Sequence, residues 1–159
     1  MTEFKKILFL DIDGVLNGHE YNTDAESNTI KQECVKHLNR ILAETQCELV
    51  ISSAWRYMIH GGAMTLQGFG YMLRTHGVKN VKIVGITEKD TQMENPTERG
   101  LLIQQWLSKN KVDQYAIVDD MQLGFDGMPF VKTDEKTGLT EKDADQLIRI
   151  LSKFDNIDM

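Results

Sequence analysis

One short stretch, KILFLDIDGVLNG at residues 6–18, constrains the architecture of this chain more than any other. Its apolar run, residues 7–10, does not alternate with polar residues, which is typical of a strand covered on both faces of a sheet. The run ends at Asp11, and Asp13 and Gly14 follow closely. Because side chains along a strand repeat every two residues, Asp11 and Asp13 are expected to point to the same side. The stretch therefore predicts a buried strand with two carboxylates at its carboxyl end.

The overall composition fits a single globular domain. The chain has 159 residues, of which 41% are hydrophobic and 26% charged, enough for a sizeable core. Its net charge of −6 gives no global positive field for nucleic acid, so any such contact must be local. No apolar run approaches the length of a membrane-spanning helix, about 20 residues. Cys34 and Cys47 lack the paired spacing of a zinc site. We therefore expect a soluble, cytoplasmic protein with reduced core thiols.

Strand-like and helix-like segments alternate along the chain. Apolar runs predict strands at residues 6–10, 48–51, 81–86, 115–118 and 130–131. Helical spacing of apolar residues predicts helices at residues 30–45 and 65–76, a third that begins near Thr97 and a last one capped by Thr140. This alternation predicts an α/β fold of three layers, with a central, mainly parallel five-stranded sheet and helices on both faces. We expect one domain over residues 1–159.

Polar side chains follow three of the predicted strands. Ligands of such sheets bind beyond the carboxyl ends of the strands, where these side chains would meet. Carboxylate oxygens suit Mg²⁺, and two close carboxylates with different protonation suit a nucleophile beside an acid. A single aspartate in such a place is more often a turn former, but three converging strand ends favour a functional site. Gly14 would leave room for a substrate close to the backbone. The converging side chains are Asp11, Asp13, Ser52, Ser53, Asp119 and Asp120.

Three segments resemble motifs of the haloacid dehalogenase (HAD) superfamily. DIDGVLN, which begins at Asp11, resembles the first motif; LVISSAWR at residues 49–56 resembles the second; and YAIVDD at residues 115–120 resembles the fourth. Arg99 stands where the basic residue of the third motif is usually found. SSAWR and the run at residues 130–151 are similar to small HAD-type domains associated with RNA repair enzymes. The resemblance implies a HAD-like fold with Rossmann-like layers over nearly the whole chain.

The resemblance also implies a phosphatase mechanism that uses Mg²⁺. Asp11 would attack phosphorus and form an aspartyl-phosphate, and Asp13 would serve as general acid and then general base. Asp11 and Asp119 would hold Mg²⁺ through their side chains, and Asp13 through its carbonyl. Asp120 would be either a direct ligand or a residue that orients a bound water. Val15 stands where many members carry threonine, and the family accepts both residues.

Other residues would bind the phosphate. Ser52 would donate a hydrogen bond to a phosphoryl oxygen, or Ser53 would do so if the strand ended one residue later. Arg99 would balance charge on the transferring group, with Lys132 as the competing candidate. Arg56, next to the second motif, could bind a second phosphate or a substrate backbone, because a guanidinium suits bidentate phosphate contacts.

The chain leaves little room for the cap domain that many HAD proteins carry over their active site. Residues 14–28 allow a short flap, and residues 55–77 form an insertion too small for an independent domain. An open site suits a large substrate, so we expect a phosphorylated nucleotide or a nucleic-acid end, with Arg56, Arg74, Lys79 and Lys82 offsetting the negative net charge. We expect no membrane and no stable protein partner.

Three alternatives remain open on the sequence. One is a sugar or metabolite phosphatase of the same fold. Another is a non-catalytic partner domain that retains the fold, which the intact motifs disfavour. The third is a phospho-accepting receiver module that signals without turnover. Receivers carry their acidic pair after the first strand and the acceptor after the third, whereas here the acceptor-like Asp11 follows the first strand and the pair follows the fourth. This order argues against the receiver.

Overall fold

Five strands form a single parallel sheet. The computed structural model describes residues 4–18, 30–53, 59–88 and 98–152. The strands are β1 (Lys6–Leu10), β2 (Glu48–Ile51), β3 (Ile83–Ile86), β4 (Gln114–Asp119) and β5 (Phe130–Lys132). Their order across the sheet is β3-β2-β1-β4-β5, and all four pairings between neighbouring strands are parallel. This confirms the predicted five-stranded α/β fold.

The four helices of the described segments follow the predicted order: α1 (Gln32–Thr45), α2 (Leu66–Thr75), α3 (Glu98–Lys109) and α4 (Glu141–Leu151). Thr140 caps α4 as predicted, because its side chain accepts from Asp143 N–H while the Asp143 carboxylate accepts from Thr140 N–H. The predicted cap at Thr97 lies outside the described residues.

Several predicted boundaries were wrong by one or two residues, and contacts in the structure account for three of them. Helix α1 begins after Lys31, whose backbone is extended and whose N–H donates to Leu16 O at 2.8 Å. Strand β3 begins at Ile83, where its register with β2 shifts. Strand β4 continues to Asp119, which pairs with Lys132 of β5. The periodicity of apolar residues does not predict such contacts, because they involve residues that are distant in the sequence.

The core lies on both faces of the sheet. Leu8 and Leu10 of β1 pack with residues of α1, α2 and α4, whereas Ile7 and Phe9 pack on the opposite face with Ile103 of α3. These β1 side chains have no exposed surface. The apolar run that opens the sequence therefore forms the central strand of a three-layer fold, covered on both sides.

The two cysteines are buried thiols without a disulfide. Burial raises the pKa of Cys47 to about 11, so its thiol is protonated at neutral pH. Among the described residues, no helix combines the length and the apolar character needed to cross a membrane.

Backbone pairing extends past the ends of the strands and fixes the residues that follow them. Asp11 N–H donates to Val118 O at 3.2 Å, Ser52 N–H to Leu10 O at 3.1 Å, and Thr133 N–H to Asp119 O at 3.0 Å. The residues after β1, β2 and β5 are thus held at one edge of the sheet, which we call the carboxyl edge.

Candidate active site

The carboxyl edge brings three aspartates together. One oxygen from each of Asp11, Asp119 and Asp120 lies within 4.8 Å of the others. Asp11 is 4% exposed and Asp119 is fully buried. The three residues come from the ends of β1 and β4, which are neighbours in the sheet. Because hard cations such as Mg²⁺ prefer carboxylate oxygens, this donor set fits that ion. We call these three residues the carboxylate cluster.

Burial and repulsion raise the pKa of two members of the carboxylate cluster. Burial, and next the charge of Asp119, hold the pKa of Asp11 well above its ordinary value, while Arg99 acts in the opposite direction. Burial, and next the hydrogen bond with Asp119, raise the pKa of Asp120 to about 6. A cation among these oxygens favours their ionised forms and removes this unfavourable repulsion.

Arg99 lies within reach of the carboxylate cluster. It is near the start of α3, and its Nη1 is 2.5 Å from Asp119 Oδ2 and 3.7 Å from Asp11 Oδ1. Its competitor Lys132 is exposed and lines a neighbouring groove of about 610 Å³ beside Asp120. The structure thus brings Arg99, and not Lys132, against the proposed nucleophile. The role of Arg99 on the phosphate stays a prediction.

Asp13 is not a member of the carboxylate cluster, and its side chain is held by Asn17. Asn17 is fully buried; its Nδ2 donates to Asp13 Oδ1 at 3.1 Å, and its Oδ1 accepts from Gly14 N–H at 2.8 Å. The Asp13 side chain is partly exposed. The partly exposed Asp13 carboxylate is therefore oriented by a turn two residues after the buried Asp11, which is compatible with an acid beside a nucleophile.

Gly14 makes the close packing of Asp120 possible. Its φ of +82° lies in the left-handed region, and a Cβ built on it would be 2.3 Å from Asp120 Oδ2. The carbonyl of Gly14 accepts from Thr133 Oγ1 at 2.6 Å. The space left by the absent side chain is thus filled by a member of the carboxylate cluster. Contact of Gly14 with a substrate stays a prediction.

The predicted phosphate-binding residues after β2 are only partly described. Ser52 and Ser53 are both fully buried directly after β2, next to the end of β1. Their roles toward a phosphoryl oxygen stay predictions. Arg56 lies outside the described residues, as do residues 19–28 of the predicted flap and residues 55–58 of the predicted insertion.

Three basic residues that were expected to offset the negative charge lie away from the carboxyl edge. Lys79 and Lys82 precede β3, and Lys82 Nζ is 2.7 Å from Glu48 Oε2 at the start of β2. Arg74 Nη2 donates to Val81 O at 3.2 Å. Because a strand rises about 3.3 Å per residue, the start and end of the four-residue β3 are about 10 Å apart. Lys79 and Lys82, and Val81 to which Arg74 donates, precede β3 and so lie at the opposite, amino edge. A contact of these basic residues with a substrate stays a prediction.

The chain matches a known protein family from β1 into α4. Residues 7–144 match the family described as the HAD domain in Swiss Army Knife RNA repair proteins. The chain belongs to this family. The match includes the whole carboxylate cluster, Asp13 and Arg99, and it confirms both the HAD resemblance and its RNA-repair type. As a HAD domain, the chain is a HAD-like hydrolase. No curated protein matches it.

Two residues at the site of this HAD domain were missed from the sequence. Asn17 holds Asp13, and Thr133 holds Gly14. Thr133 directly follows β5, so the rule that singled out the polar residues after β1, β2 and β4 would have indicated it too. Asn17 carries no comparable signal, because a polar residue in a glycine-containing turn is commonplace.

Proposed function

We propose that this HAD domain is a Mg²⁺-dependent phosphomonoester hydrolase that acts through an aspartyl-phosphate on Asp11. The observation that carries the proposal is the buried Asp11 carboxylate within 4.8 Å of oxygens of Asp119 and Asp120, with Arg99 beside it. Buried like charges are unfavourable without a cation, and they are typical of sites where function requires them. The favoured substrate is a phosphorylated nucleotide or nucleic-acid end.

The chemistry divides into two displacements at phosphorus. An Asp11 oxygen forms a bond to phosphorus while the bond from phosphorus to the ester oxygen breaks, and Asp13 gives its proton to the departing alcohol. A water then attacks the aspartyl-phosphate and passes a proton to Asp13, which releases inorganic phosphate and restores Asp11. Asn17 keeps Asp13 in the orientation that both transfers require, since it binds the Asp13 carboxylate at 3.1 Å.

The other side chains stabilise charge. Asp11 and Asp119 would hold Mg²⁺ through their side chains and Asp13 through its carbonyl. Asp120 would be a further ligand or would orient a bound water. When bound, the ion neutralises phosphate charge and allows two anions to meet. Arg99 balances the negative charge of Asp11 and Asp119 before substrate binds, and then the negative charge of the equatorial phosphoryl oxygens. Ser52 donates a hydrogen bond to one of these oxygens, or Ser53 does so in its place.

Two observations support a macromolecular substrate. The family takes its description from RNA repair proteins. The described portion of the predicted insertion, residues 59–77, carries the ten-residue α2 packed on the core, which supports a site without a separate closing domain. In this proposal Lys132, which is exposed beside the groove next to Asp120, contacts a phosphate of the substrate backbone.

The strand order bears on the receiver alternative. Receiver modules are built on the doubly wound order 2-1-3-4-5, whereas this sheet has the order 3-2-1-4-5, and Asp11 directly follows its central strand β1. This topology supports turnover by a HAD-type hydrolase rather than phosphorylation alone.

Phosphate release from a substrate panel tests the proposal. The panel comprises oligoribonucleotides with a 3′- or 5′-phosphate, mononucleotides and sugar phosphates, each with Mg²⁺ and with a chelator. We expect Mg²⁺-dependent release that is fastest for the oligonucleotides. Faster release from mononucleotides or sugar phosphates would favour the small-molecule phosphatase. A stable phosphoprotein without phosphate release would revive the receiver.

A further inference from the structure

Thr133 connects the two strand ends that carry the carboxylate cluster. It follows β5 and is 1% exposed. Its N–H donates to Asp119 O at 3.0 Å, and its Oγ1 donates to Gly14 O at 2.6 Å, across 119 residues of sequence. A single buried residue thus binds the backbone on the β4 side and the backbone on the β1 side. We propose that Thr133 is a positioning residue of the active site, an inference that rests on the function proposed above.

The hydroxyl of Thr133 fixes the turn that follows the nucleophile. Gly14 N–H is bound by Asn17 and Gly14 O by Thr133, so the peptide groups on both sides of Gly14 are held. The first of these peptide groups includes the carbonyl of Asp13. The Asp120 carboxylate rests on the Cα of Gly14, where a Cβ would be 2.3 Å from its Oδ2. Rotation about Gly14 would therefore move both Asp13 and the surface on which Asp120 rests.

Removal of the Thr133 hydroxyl leaves a buried carbonyl without its donor. Such a group is unfavourable in the interior, so the Gly14 peptide is expected to rotate toward another donor or water. Residues that orient metal ligands through hydrogen bonds typically contribute about 10–100-fold to metal affinity or activity. Because Thr133 is buried and one step away from the reacting atoms, its loss should lower kcat and Mg²⁺ affinity and leave KM for the substrate nearly unchanged.

The fold around Thr133 does not depend on its hydroxyl alone. Leu139 N–H donates to Val15 O at 2.7 Å. A Cβ on Gly138 would be 2.6 Å from Asn17 O, and one on Gly18 would be 2.3 Å from Lys136 O. The segment after Thr133 is thus packed backbone to backbone against the turn at residues 14–18. A variant that lacks the hydroxyl keeps these contacts and is expected to fold.

The test compares Thr133→Val with Thr133→Ser and with a matched control. Valine keeps the shape of threonine without the hydroxyl, and serine keeps the hydroxyl. The control is Thr45→Val: Thr45 is 3% exposed, and its Oγ1 donates to Ile41 O at 2.7 Å on α1. All variants are measured for kcat and KM, for Mg²⁺ affinity by calorimetric titration of the substrate-free protein, and for Tm.

We expect Thr133→Val to lose about 10–100-fold in kcat and in Mg²⁺ affinity, with Thr133→Ser close to the wild type. Thr45→Val should change Tm only. The proposal is overturned if Thr133→Val keeps wild-type kcat and Mg²⁺ affinity, or if Thr133→Ser is as defective as Thr133→Val. Should Thr133→Val fail to fold, Thr133→Cys takes its place, since a thiol is a weak donor of similar size, and an unchanged kcat and Mg²⁺ affinity there would equally overturn it.

The two proposals fail in different ways. A wild-type protein that binds Mg²⁺ but hydrolyses nothing in the panel would contradict the proposed function, and the Mg²⁺ titration of the Thr133 variants would still decide the role of Thr133. An active wild type with an unaffected Thr133→Val would contradict the positioning role alone. A wild type that binds no Mg²⁺ would contradict both.

Discussion

Charged side chains such as that of Lys82 are exposed at the amino edge of the sheet, whereas the carboxylates of Asp11 and Asp119 are buried at its carboxyl edge. At the amino edge, Lys82 pairs with Glu48 at 2.7 Å with its side chain 73% exposed, and Asp113, also exposed, accepts from Lys5 N–H at 2.6 Å. At the carboxyl edge, Asp11 and Asp119 have side chains that are 6% and 0% exposed, although they carry the same charge. Exposed pairs contribute little to stability, whereas buried like charges oppose folding. The buried carboxylates of the carboxyl edge therefore need an explanation other than solubility. Binding of a cation together with an anionic substrate provides one.

The largest expected effect comes from the same substitution made at each edge. Asp11→Asn should reduce turnover by about 10⁴-fold or more, because it removes the nucleophile. It should also raise the Tm of the metal-free protein, because it removes a buried charge from the carboxylate cluster. Asp113→Asn should change neither, since the amide oxygen still accepts from Lys5 N–H. Turnover and thermal unfolding of both variants check this, and equal turnover of Asp11→Asn and the wild type would remove the mechanism.

The second largest effect concerns Asp13, which is partly exposed at the same edge as the buried Asp11. Its substitution should lower the rate by an amount that depends on the leaving group. Asp13→Asn should lower the rate by about 10²–10⁴-fold for alkyl phosphates, whose leaving oxygen needs a proton. The loss should be much smaller for an aryl phosphate with an acidic phenol as leaving group. Steady-state rates on a series of leaving groups measure the difference. A loss of the same size across the series would show that Asp13 is not the acid.

Alanine substitutions at two glycines with the same backbone conformation separate the effect of backbone strain from the effect of a contact with the carboxylate cluster. Gly14 and Gly127 have φ of +82° and +79°, and a Cβ on Gly127 would have nothing within 4 Å. Both alanine variants should be destabilised by about 1 kcal/mol of backbone strain. Only Gly14→Ala displaces Asp120, so it alone should weaken Mg²⁺ affinity by about 10–100-fold. Similar Mg²⁺ affinities in the two variants would show that the contact of Gly14 with Asp120 has no consequence for the metal.

The smallest effect is on the pH dependence of stability. The folded-state pKa of Asp120 is about 6, raised from 3.8, and that of Asp11 is raised as well. At a pH between the unfolded-state and folded-state pKa of Asp120, the folded protein binds more protons than the unfolded chain. The stability of the metal-free protein should therefore rise as the pH falls from 7 to about 5. Each kcal/mol gained should raise Tm by about 2–4 °C.

The matched control for this pH dependence is Asp120→Asn. It should flatten the rise in Tm, and saturating Mg²⁺ should do the same in the wild type because it keeps the carboxylates ionised. A Tm that falls from pH 7 to 5 in the metal-free wild type, or an unchanged slope in Asp120→Asn, would contradict the origin of the effect.

The sequence predicted most of what depends on strand order and little of what depends on packing between distant segments. The continuous apolar run before Asp11 and the alternation of elements were enough for the parallel sheet and for the meeting of Asp11 with Asp119. The bond between Thr133 and Gly14 joins residues 119 positions apart, and no periodicity encodes it. The position of Lys82 at the amino edge depends on where β3 begins, and strand ends are set by pairing rather than by composition.

A crystal structure of the protein with Mg²⁺ and a beryllium fluoride mimic of the phosphoryl group would show whether Asp11 is the nucleophile of a magnesium site. We expect Mg²⁺ bound by side-chain oxygens of Asp11 and Asp119, the mimic attached to the other Asp11 oxygen, and Arg99 turned toward the fluorides. Mg²⁺ bound elsewhere, with Arg99 still between Asp11 and Asp119 and no mimic on Asp11, would contradict it.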